Sequence, residues 1–314
     1  MQPCLPESPK PVIIGIVGDS GTGKSTMASG LAEVLGRERT LVICVDDYHK
    51  YARAERAKSG ITPHDPACNY LDILEQHVAL LRAGAPVLKP IYNHNGGTLE
   101  APEYVEPREF IILEGGLGYA TPALRDAYDV KLYLEPPEQL RLRWKFQRDT
   151  TIGGYTAEQV MASLEALNND SVRYVLPQRA FADMVIGFYP PESDPDEIGS
   201  RLNVAHILRP TLPHLDLTPV LEVGADGAFR LELTRDVDGR PVDVLHILGH
   251  IEDRRTERME ERLWQFIPTT RSPYALLGAF RDGEVQVRHS HSLALSQLLI
   301  THYLMNAALK HHVS

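Results

Sequence analysis

The fold of this chain is decided by the stretch Pro11-Val-Ile-Ile-Gly-Ile-Val-Gly-Asp-Ser-Gly-Thr-Gly-Lys-Ser25. Its first part, Pro11 to Val17, is a continuous apolar run of the kind that forms a strand buried in a parallel sheet. A glycine-rich turn follows directly, and from Lys24 to Leu35 the apolar side chains recur at helical spacing. The stretch therefore predicts a strand, a tight turn and a helix in immediate succession.

The turn itself satisfies the pattern G-x-x-x-x-G-K-[ST] in full. Between a strand and a helix, this pattern predicts a phosphate-binding loop for ATP, and an ordinary glycine-rich turn is the less favoured alternative. Glycines let backbone N–H groups curl around phosphates, Lys24 neutralises the β- and γ-phosphates, and Ser25 supplies an oxygen to Mg²⁺. The predicted nucleotide-binding residues are Gly18, Asp19, Ser20, Gly21, Thr22, Gly23, Lys24, Ser25 and Thr26.

Acidic residues follow two other predicted strands. Asp46 and Asp47 follow the apolar run Thr40 to Val45, and Glu114 follows the run Phe110 to Leu113. Ligands of open α/β sheets bind at the carboxyl ends of the strands, so we expect these acids near the loop. A phosphoryl-transfer site needs one carboxylate for the proton of the attacking hydroxyl and another for Mg²⁺, and Asp46 and Glu114 fill these roles. Helix capping is the alternative interpretation of a strand-end aspartate.

Two more apolar runs, Val130 to Leu134 and Met184 to Tyr189, predict further strands, with helical segments between several of the runs. This alternation predicts an α/β fold: a P-loop kinase core with a mostly parallel sheet flanked by helices. The composition changes at Pro190 to Ser200, where prolines and acidic residues indicate a connector.

Beyond the connector, the pattern predicts antiparallel strands and two helices. The strands are predicted at Val220 to Val223, Phe229 to Leu233 and Val242 to Ile247. The helices are predicted at Asp253 to Phe266 and Ser292 to Leu309, with Ser292 as the N-cap of the second. We therefore predict three parts: an N-terminal tail (1–10), the P-loop kinase core (11–192) and a C-terminal α+β extension packed on the core (193–314).

Basic and aromatic residues are concentrated after the first acidic pair. Tyr48, His49 and Arg53 follow it, and Lys89, Tyr92 and His94 come later in the core. They are candidates for a positive wall against a substrate that already carries a phosphate, because arginine binds phosphate in bidentate fashion. We interpret Arg56 and Lys58 as a solvated helix face.

A second basic group comprises Arg141, Arg143, Lys145 and Arg148, with Asp149 beside them. It lies on a helical segment that leads to the paired glycines Gly153-Gly154, a pattern typical of a mobile lid. Such a lid would neutralise the charge on the transferring group.

Two histidines, His289 and His291, flank Ser290 and would share one face of a strand, a pattern compatible with a metal-binding pair. The sequence shows no cysteine nearby and no third ligand at a recognised zinc spacing. We therefore interpret both histidines as ordinary strand or turn residues.

The bulk composition excludes several classes of partner. A formal net charge of -10 and a pI near 5.7 argue against nucleic acid or an anionic membrane as the partner. Three scattered cysteines indicate neither a disulfide framework nor a zinc site. Residues 1–10 show no signal-peptide pattern, and no apolar run reaches membrane-spanning length. We expect a cytoplasmic protein.

Several motifs resemble those of phosphoribulokinases, within the wider phosphoribulokinase and uridine kinase family. Beside the phosphate-binding loop, they are Val42-Ile-Cys-Val-Asp-Asp-Tyr-His49, Asp65-Pro-Ala-Cys-Asn69, Lys89-Pro-Ile-Tyr-Asn-His94, Glu114-Gly115, Trp144-Lys-Phe-Gln-Arg-Asp149, Leu176-Pro-Gln178, Ala182-Asp183 and Gly249-His-Ile251. The combination of Asp-Asp-Tyr-His with Lys-Pro-Ile-Tyr-Asn-His is more specific for this family than the phosphate-binding loop alone.

The resemblance implies ATP- and Mg²⁺-dependent phosphorylation of ribulose 5-phosphate to ribulose 1,5-bisphosphate, a place in the Calvin cycle of carbon fixation, and a homodimer. It also implies a role for each matching residue. The catalytic residues would be Asp46, Lys24, Lys145 and Arg148; the metal-binding residues Ser25 and Glu114; and the substrate-binding residues His49, Arg53, Tyr92, His94 and Asp149.

Three positions depart from the family pattern. Glu114-Gly-Gly-Leu117 stands where the family has Glu-Gly-Leu-His, Gly153 replaces an arginine, and Leu167-Asn168 replaces a basic pair. A sugar phosphate is costly to desolvate without partners, so replacements elsewhere are expected, with Arg173 and Arg179 as candidates.

Two other functions remain open. One is a kinase of a nucleoside, as in uridine kinases, or of another sugar phosphate, and the contacts of His49, Arg53 and His94 would discriminate between these substrates. The other is a sensor that binds nucleotide and sugar phosphate with little turnover.

Overall fold

The computed structural model describes residues 10–151, 154–212, 217–223, 227–267, 277–281 and 286–311. Two features expected from the sequence lie outside these residues: the N-terminal tail apart from Lys10, and Gly153 of the lid. The described residues contain strands and helices in the expected alternation.

Twelve strands occur among the described residues. They are β1 Val12–Gly18, β2 Thr40–Cys44, β3 Val87–Asn93, β4 Thr98–Val105, β5 Phe110–Gly115, β6 Val130–Leu134, β7 Met184–Tyr189, β8 Asn203–Leu208, β9 Phe229–Arg235, β10 Pro241–Ile247, β11 Ala279–Arg281 and β12 Val287–His289.

Eight of these strands form one sheet, in the order β2-β5-β1-β6-β7-β8-β10-β9. The first five in this order pair in parallel. The last three pair antiparallel, and β8 is hydrogen-bonded directly to β7. The predicted α/β core is confirmed, and the C-terminal strands continue the sheet of the core.

Nine α-helices surround the sheet in the described part of the chain, which also contains several short 3₁₀ and π turns. They are α1 Lys24–Leu35, α2 Arg53–Ser59, α3 Leu71–Arg82, α4 Pro122–Ala127, α5 Glu138–Thr151, α6 Ala157–Asp170, α7 Thr218–Val223, α8 Asp253–Trp264 and α9 His291–His311.

The core has two layers, one on each face of the sheet. Alternate residues of β1 contribute side chains to the two layers. Ile14 packs with apolar residues of α1, α8 and α9, and Ile13 packs with apolar residues of α3 and α4. Both isoleucines are fully buried. β1 therefore lies in the middle of the molecule, which holds the loop that follows it in a fixed position.

Two expectations for the C-terminal part are wrong. Val220 to Val223, predicted as a strand, belongs to α7. A four-residue apolar run has no distinguishing period, and the proline that follows Thr218 suits the first turn of a helix. Ser292 is not the N-cap of the last helix: its hydroxyl donates to the Leu202 carbonyl, whereas Ser290 Oγ accepts from the Leu293 N–H at 3.3 Å.

Among the described residues, no helix combines the length and the apolar character that crossing a bilayer requires.

Gly249, after β10, marks a close approach between two segments of the C-terminal part. A Cβ atom built there would lie 2.0 Å from the backbone oxygen of Arg201, and the Gly249 N–H donates to Asn203 Oδ1 at 2.8 Å. We expect Gly249→Ala to lower the free energy of unfolding by about 1–3 kcal/mol, because the backbone must shift. Urea denaturation measures this loss.

Gly116→Ala is the matched control, because its added Cβ would meet its nearest atom at an ordinary 3.5 Å. Equal stability changes in the two variants would show that the approach at Gly249 carries no constraint.

Candidate active site

The phosphate-binding loop joins β1 to α1, as predicted. Gly21 and Gly23 have φ angles of +87° and +89°, a left-handed conformation that glycine adopts without strain. Lys24 Nζ donates to the Asp19 carbonyl at 2.8 Å, and Thr22 Oγ1 donates to the same oxygen at 2.9 Å. The loop is thus preformed at the positive N-terminal end of α1, an arrangement that suits a polyphosphate.

The structure brings the two predicted metal ligands together. Ser25 Oγ donates to Glu114 Oε1 at 2.9 Å, although the residues are far apart in sequence. Burial raises the pKa of Glu114, nearby Asp46 raises it further, and Lys24 opposes the change. A hydroxyl and a carboxylate are the oxygen ligands that Mg²⁺ prefers, so this pair fits a magnesium ion, whose charge would favour the ionised carboxylate.

The adjacent acids Asp46 and Asp47 have different environments in the short 3₁₀ turn after β2. Asp47 is buried; its Oδ2 accepts from Lys89 Nζ at 2.6 Å and its Oδ1 accepts from the Tyr92 N–H at 3.0 Å. Asp47 therefore holds β3 in place. Burial acts to raise the pKa of Asp46, but the charges of His49 and Lys24 bring it below its usual value.

Three of the predicted substrate residues form one aromatic cluster beside Asp46. The ring of Tyr92 lies edge-on to the rings of His49 and His94, with centroids 4.9 and 5.1 Å away. His49 Nδ1 lies 2.7 Å from Asn69 Oδ1. Burial lowers the pKa of His49, and the nearby carboxylate of Asp46 opposes this change.

Arginines from α2 border this cluster. Arg53 hydrogen-bonds to the His94 carbonyl and packs over Tyr155, its guanidinium carbon 4.8 Å from the ring centroid. Arg56 Nη2 donates to the Tyr92 hydroxyl at 2.7 Å. The interpretation of Arg56 as a solvated residue is therefore wrong, because the fold turns this side of α2 towards β3.

The predicted lid helix α5 contacts the loop. Lys145 is buried against Asp149, with Nζ 2.7 Å from Oδ2, and Arg148 lies 2.7 Å from the other carboxylate oxygen. Arg148 Nη2 also lies 3.4 Å from Ser20 Oγ. Burial lowers the pKa of Lys145, while the contact with Asp149 opposes this change. The lid cations thus stand beside the loop, held by Asp149.

A buried network under the loop was not predicted. Asp19 accepts a hydrogen bond from Ser171 and lies 3.3 Å from Arg141 and 3.9 Å from His64. His64 is buried, and its Nδ1 has no hydrogen-bond partner among the described residues. Asp-Pro-Ala-Cys-Asn, the motif directly after His64, was the signal that pointed to this segment, but it gave no role to the histidine itself.

One of the departures from the family pattern has a structural explanation. Leu117 is a core residue, packed with apolar side chains below the sheet. Arg179 is held by Glu135 and by both oxygens of Asp236, so it is no replacement for the missing cations. Arg56 is a cation that the fold places against the aromatic cluster, with its guanidinium carbon 5.0 Å from the centroid of the Tyr92 ring.

A cavity of about 590 Å³ opens beside the loop, a volume typical of ligand sites. Its walls include Thr26 and Trp144 of the core and Ile198, Phe280 and Leu293 of the C-terminal part. The apolar walls next to a phosphate-binding loop fit the base and ribose of a nucleotide.

The sheet topology and the loop define the class of P-loop α/β proteins. Within this class, the chain belongs to the phosphoribulokinase/uridine kinase family, whose model matches residues 13–193. The resemblance inferred from the motifs is confirmed.

Individual relatives agree with this assignment. A phosphoribulokinase of Synechocystis sp. is 38% identical over 193 residues, which are 62% of this chain and 58% of the relative. A chloroplastic phosphoribulokinase of Mesembryanthemum crystallinum is 36% identical over 219 residues, 64% of this chain and 55% of the relative. A uridine kinase of Alkaliphilus metalliredigens is 31% identical over 63% of this chain and 95% of the relative.

The chain therefore spans little more than half the length of these two phosphoribulokinases. Among solved structures, phosphoribulokinase from Rhodobacter spheroides superimposes with a TM-score of 0.56 at 16% identity, over 82% of this chain and 97% of the other. That similarity confirms the fold, including part of the C-terminal extension.

The buried pair of Asp47 and Lys89 leads to a stability prediction. Asp47→Asn removes the close counter-ion of the buried Lys89 charge and leaves it with the exposed Glu103, 3.9 Å away. We therefore expect a loss of about 3–5 kcal/mol in the free energy of unfolding. The double variant Asp47→Asn/Lys89→Met removes both charges and is expected to recover part of this loss. Urea denaturation of the three proteins is the measurement, and a single variant as stable as the wild type would contradict the assigned role.

Proposed function

We propose that the protein transfers the γ-phosphoryl group of ATP to ribulose 5-phosphate, giving ADP and ribulose 1,5-bisphosphate. The observation that carries the proposal is the position of Asp46. Its carboxylate interacts with Lys24 of the phosphate-binding loop and also with His49 and His94 of the aromatic cluster. A base in this position can serve a hydroxyl held by the cluster and aimed at a phosphate held by the loop.

In the proposed reaction, Asp46 takes the proton of the attacking hydroxyl, which the family resemblance assigns to O1, as a bond forms between that oxygen and the γ-phosphorus. The bond from the γ-phosphorus to the bridging oxygen breaks, and ADP leaves. The lowered pKa of Asp46 keeps it ionised at neutral pH, ready to accept the proton. Lys24, Lys145 and Arg148 neutralise charge on the transferring group.

Magnesium would be held by Ser25 and Glu114, where it would supply positive charge to the oxygens of the β- and γ-phosphates. Asp149 positions the two lid cations and is proposed to contact the substrate as well. His64, buried near Asp19, is proposed to support the loop from below.

The substrate is inferred from charge. Arg53 and Arg56 border the aromatic cluster, and two guanidinium groups suit a substrate that already carries a phosphate better than a neutral nucleoside. The phosphoribulokinases that match this chain support the same choice. The uridine kinase relative makes a nucleoside the second candidate.

We also propose a cytoplasmic homodimer that supplies ribulose 1,5-bisphosphate to carbon fixation in the Calvin cycle. The edge strand β9 supports the dimer, because Leu231 and Leu233 on it are exposed, Leu233 to 81%. Exposed apolar side chains of this kind are common at association surfaces.

The first test is ADP release from Mg-ATP with ribulose 5-phosphate, ribose 5-phosphate and uridine compared side by side. We expect turnover on ribulose 5-phosphate and a loss of at least about 100-fold in kcat for Asp46→Asn, because a general base contributes about 10²–10⁴-fold. Preference for uridine would replace the proposal with nucleoside phosphorylation. Nucleotide binding without turnover on any substrate would favour a sensor.

A second test concerns Arg56, which the fold brings to Tyr92. If Arg56 meets the substrate phosphate, Arg56→Met should raise the KM for ribulose 5-phosphate at least about tenfold, since a charge-assisted hydrogen bond contributes about 1.5–3 kcal/mol. The KM for ATP should change little.

Lys58→Met, on the exposed side of the same helix, is the matched control and should leave both KM values unchanged. An equal effect of the two substitutions would refute a specific role for Arg56.

A further inference from the structure

A group of three potential metal ligands lies in the C-terminal part, away from the loop. Glu260 of α8, His289 at the end of β12 and His291 at the start of α9 each bring one donor atom to within 4.8 Å of the others. The sequence showed only the two histidines, because the glutamate is about 30 residues earlier and reaches them only through the packing of α8 on α9.

The surroundings of His291 orient its ring. Its Nε2 lies 2.9 Å from Oδ1 of Asp253, which is two turns before Glu260 on α8. Its Nδ1 is buried and has no hydrogen-bond partner among the described residues. A carboxylate on one ring nitrogen that leaves the other for a metal is the usual arrangement around histidine ligands.

His289 is oriented in a similar way. Its ring hydrogen-bonds to the backbone of Leu277, and its centroid lies 5.1 Å from that of His291. The two imidazoles therefore lie next to each other at the junction between β12 and α9.

We propose that Glu260, His289 and His291 bind a divalent transition metal, with Zn²⁺ as the best match, and that Asp253 positions His291. Two imidazoles and one carboxylate are a common zinc ligand set, with water in the fourth position. Tetrahedral ligand atoms at about 2.0–2.1 Å from zinc lie about 3.3 Å from one another. The three donor atoms lie within 4.8 Å of one another here, so metal binding requires each of these distances to shorten by at most about 1.5 Å. Side-chain rotation at this partly exposed surface provides that movement.

The bound metal fastens the antiparallel ribbon β11–β12 to α8. Arg288 and Ser290, on either side of His289, line the cavity beside the phosphate-binding loop, as do Phe280 and Arg281 of the ribbon. The proposed metal would thus stabilise one wall of that cavity, although none of its three ligands lines the cavity.

A second group, Cys44, Asp46 and His94, also brings three donor atoms within 4.8 Å, and the experiment must separate it from the proposed site. Burial and the nearby carboxylates raise the pKa of the Cys44 thiol well above its usual value.

The test is titration of the metal-free full chain with Co²⁺, followed by its visible d–d absorption, and displacement by Zn²⁺. We expect one tightly bound Co²⁺ with the intense absorption of a tetrahedral site. His289→Ala and His291→Ala should abolish it, and Glu260→Gln, which keeps the side-chain size, should weaken it. Asp253→Asn should lower the affinity about 10–100-fold, as expected for a group that orients a ligand.

Two control variants should bind as the wild type does: His250→Ala, which removes an exposed imidazole outside the group, and Cys44→Ser, which disables the other group. Absorption that is lost in Cys44→Ser but retained in His289→Ala would overturn the proposal, as would the absence of binding to a folded wild-type chain.

Stabilisation of β11 and β12 by the metal can be measured separately from metal absorption. This measurement also identifies a variant that loses metal binding because it is misfolded. Zn²⁺ should raise the midpoint of thermal unfolding of the wild type and slow amide hydrogen exchange in β11 and β12, because a ligand that binds only the native state stabilises it. Neither effect should occur in His291→Ala. Protection that persists in this variant would refute the assignment.

Discussion

The parallel pairing of β5 with β1 on one side and β2 on the other is the constraint on which the rest of the site depends. Glu114 lies opposite Ile16 of β1 and Cys44 of β2 in this register. The loop after β1, the turn after β2 and the end of β5 must therefore meet at one edge of the sheet. A slip of one residue would turn Glu114 to the opposite face and break its contact with Ser25.

The charged groups at this edge have two kinds of role, one structural and one in the proposed chemistry. Asp47 and Lys89 neutralise each other in a buried pair that holds β3, and Asp149 holds the lid cations Lys145 and Arg148. Asp46 has no such dedicated ion pair among the described contacts and takes its low pKa from several surrounding charges instead. Aspartates that look alike in the sequence therefore have different roles. Those with a close cationic partner stabilise the fold, and Asp46, which has none among the described contacts, is available for the proposed chemistry.

The C-terminal part is joined to the core by backbone hydrogen bonds as well as by packing. β8 pairs with β7, and α9 packs against α1, the helix that follows the phosphate-binding loop. The same part supplies Phe280 and Leu293 to the cavity beside the loop. The nucleotide side of the site is therefore built by both halves of the chain, although the family model matches only residues 13–193.

The sequence by itself determined the phosphate-binding loop, the strands of the parallel sheet and the family, because these depend on local patterns: a complete loop motif, buried apolar runs and long matching motifs. It did not detect the buried pair of Asp47 and Lys89, detect the place of Arg56, or identify α7 as a helix. Only the tertiary structure decided these points, and it also brought Glu260 to His289 and His291. The physical reason is that each depends on contacts between residues far apart in the chain, which local periodicity and spacing do not contain.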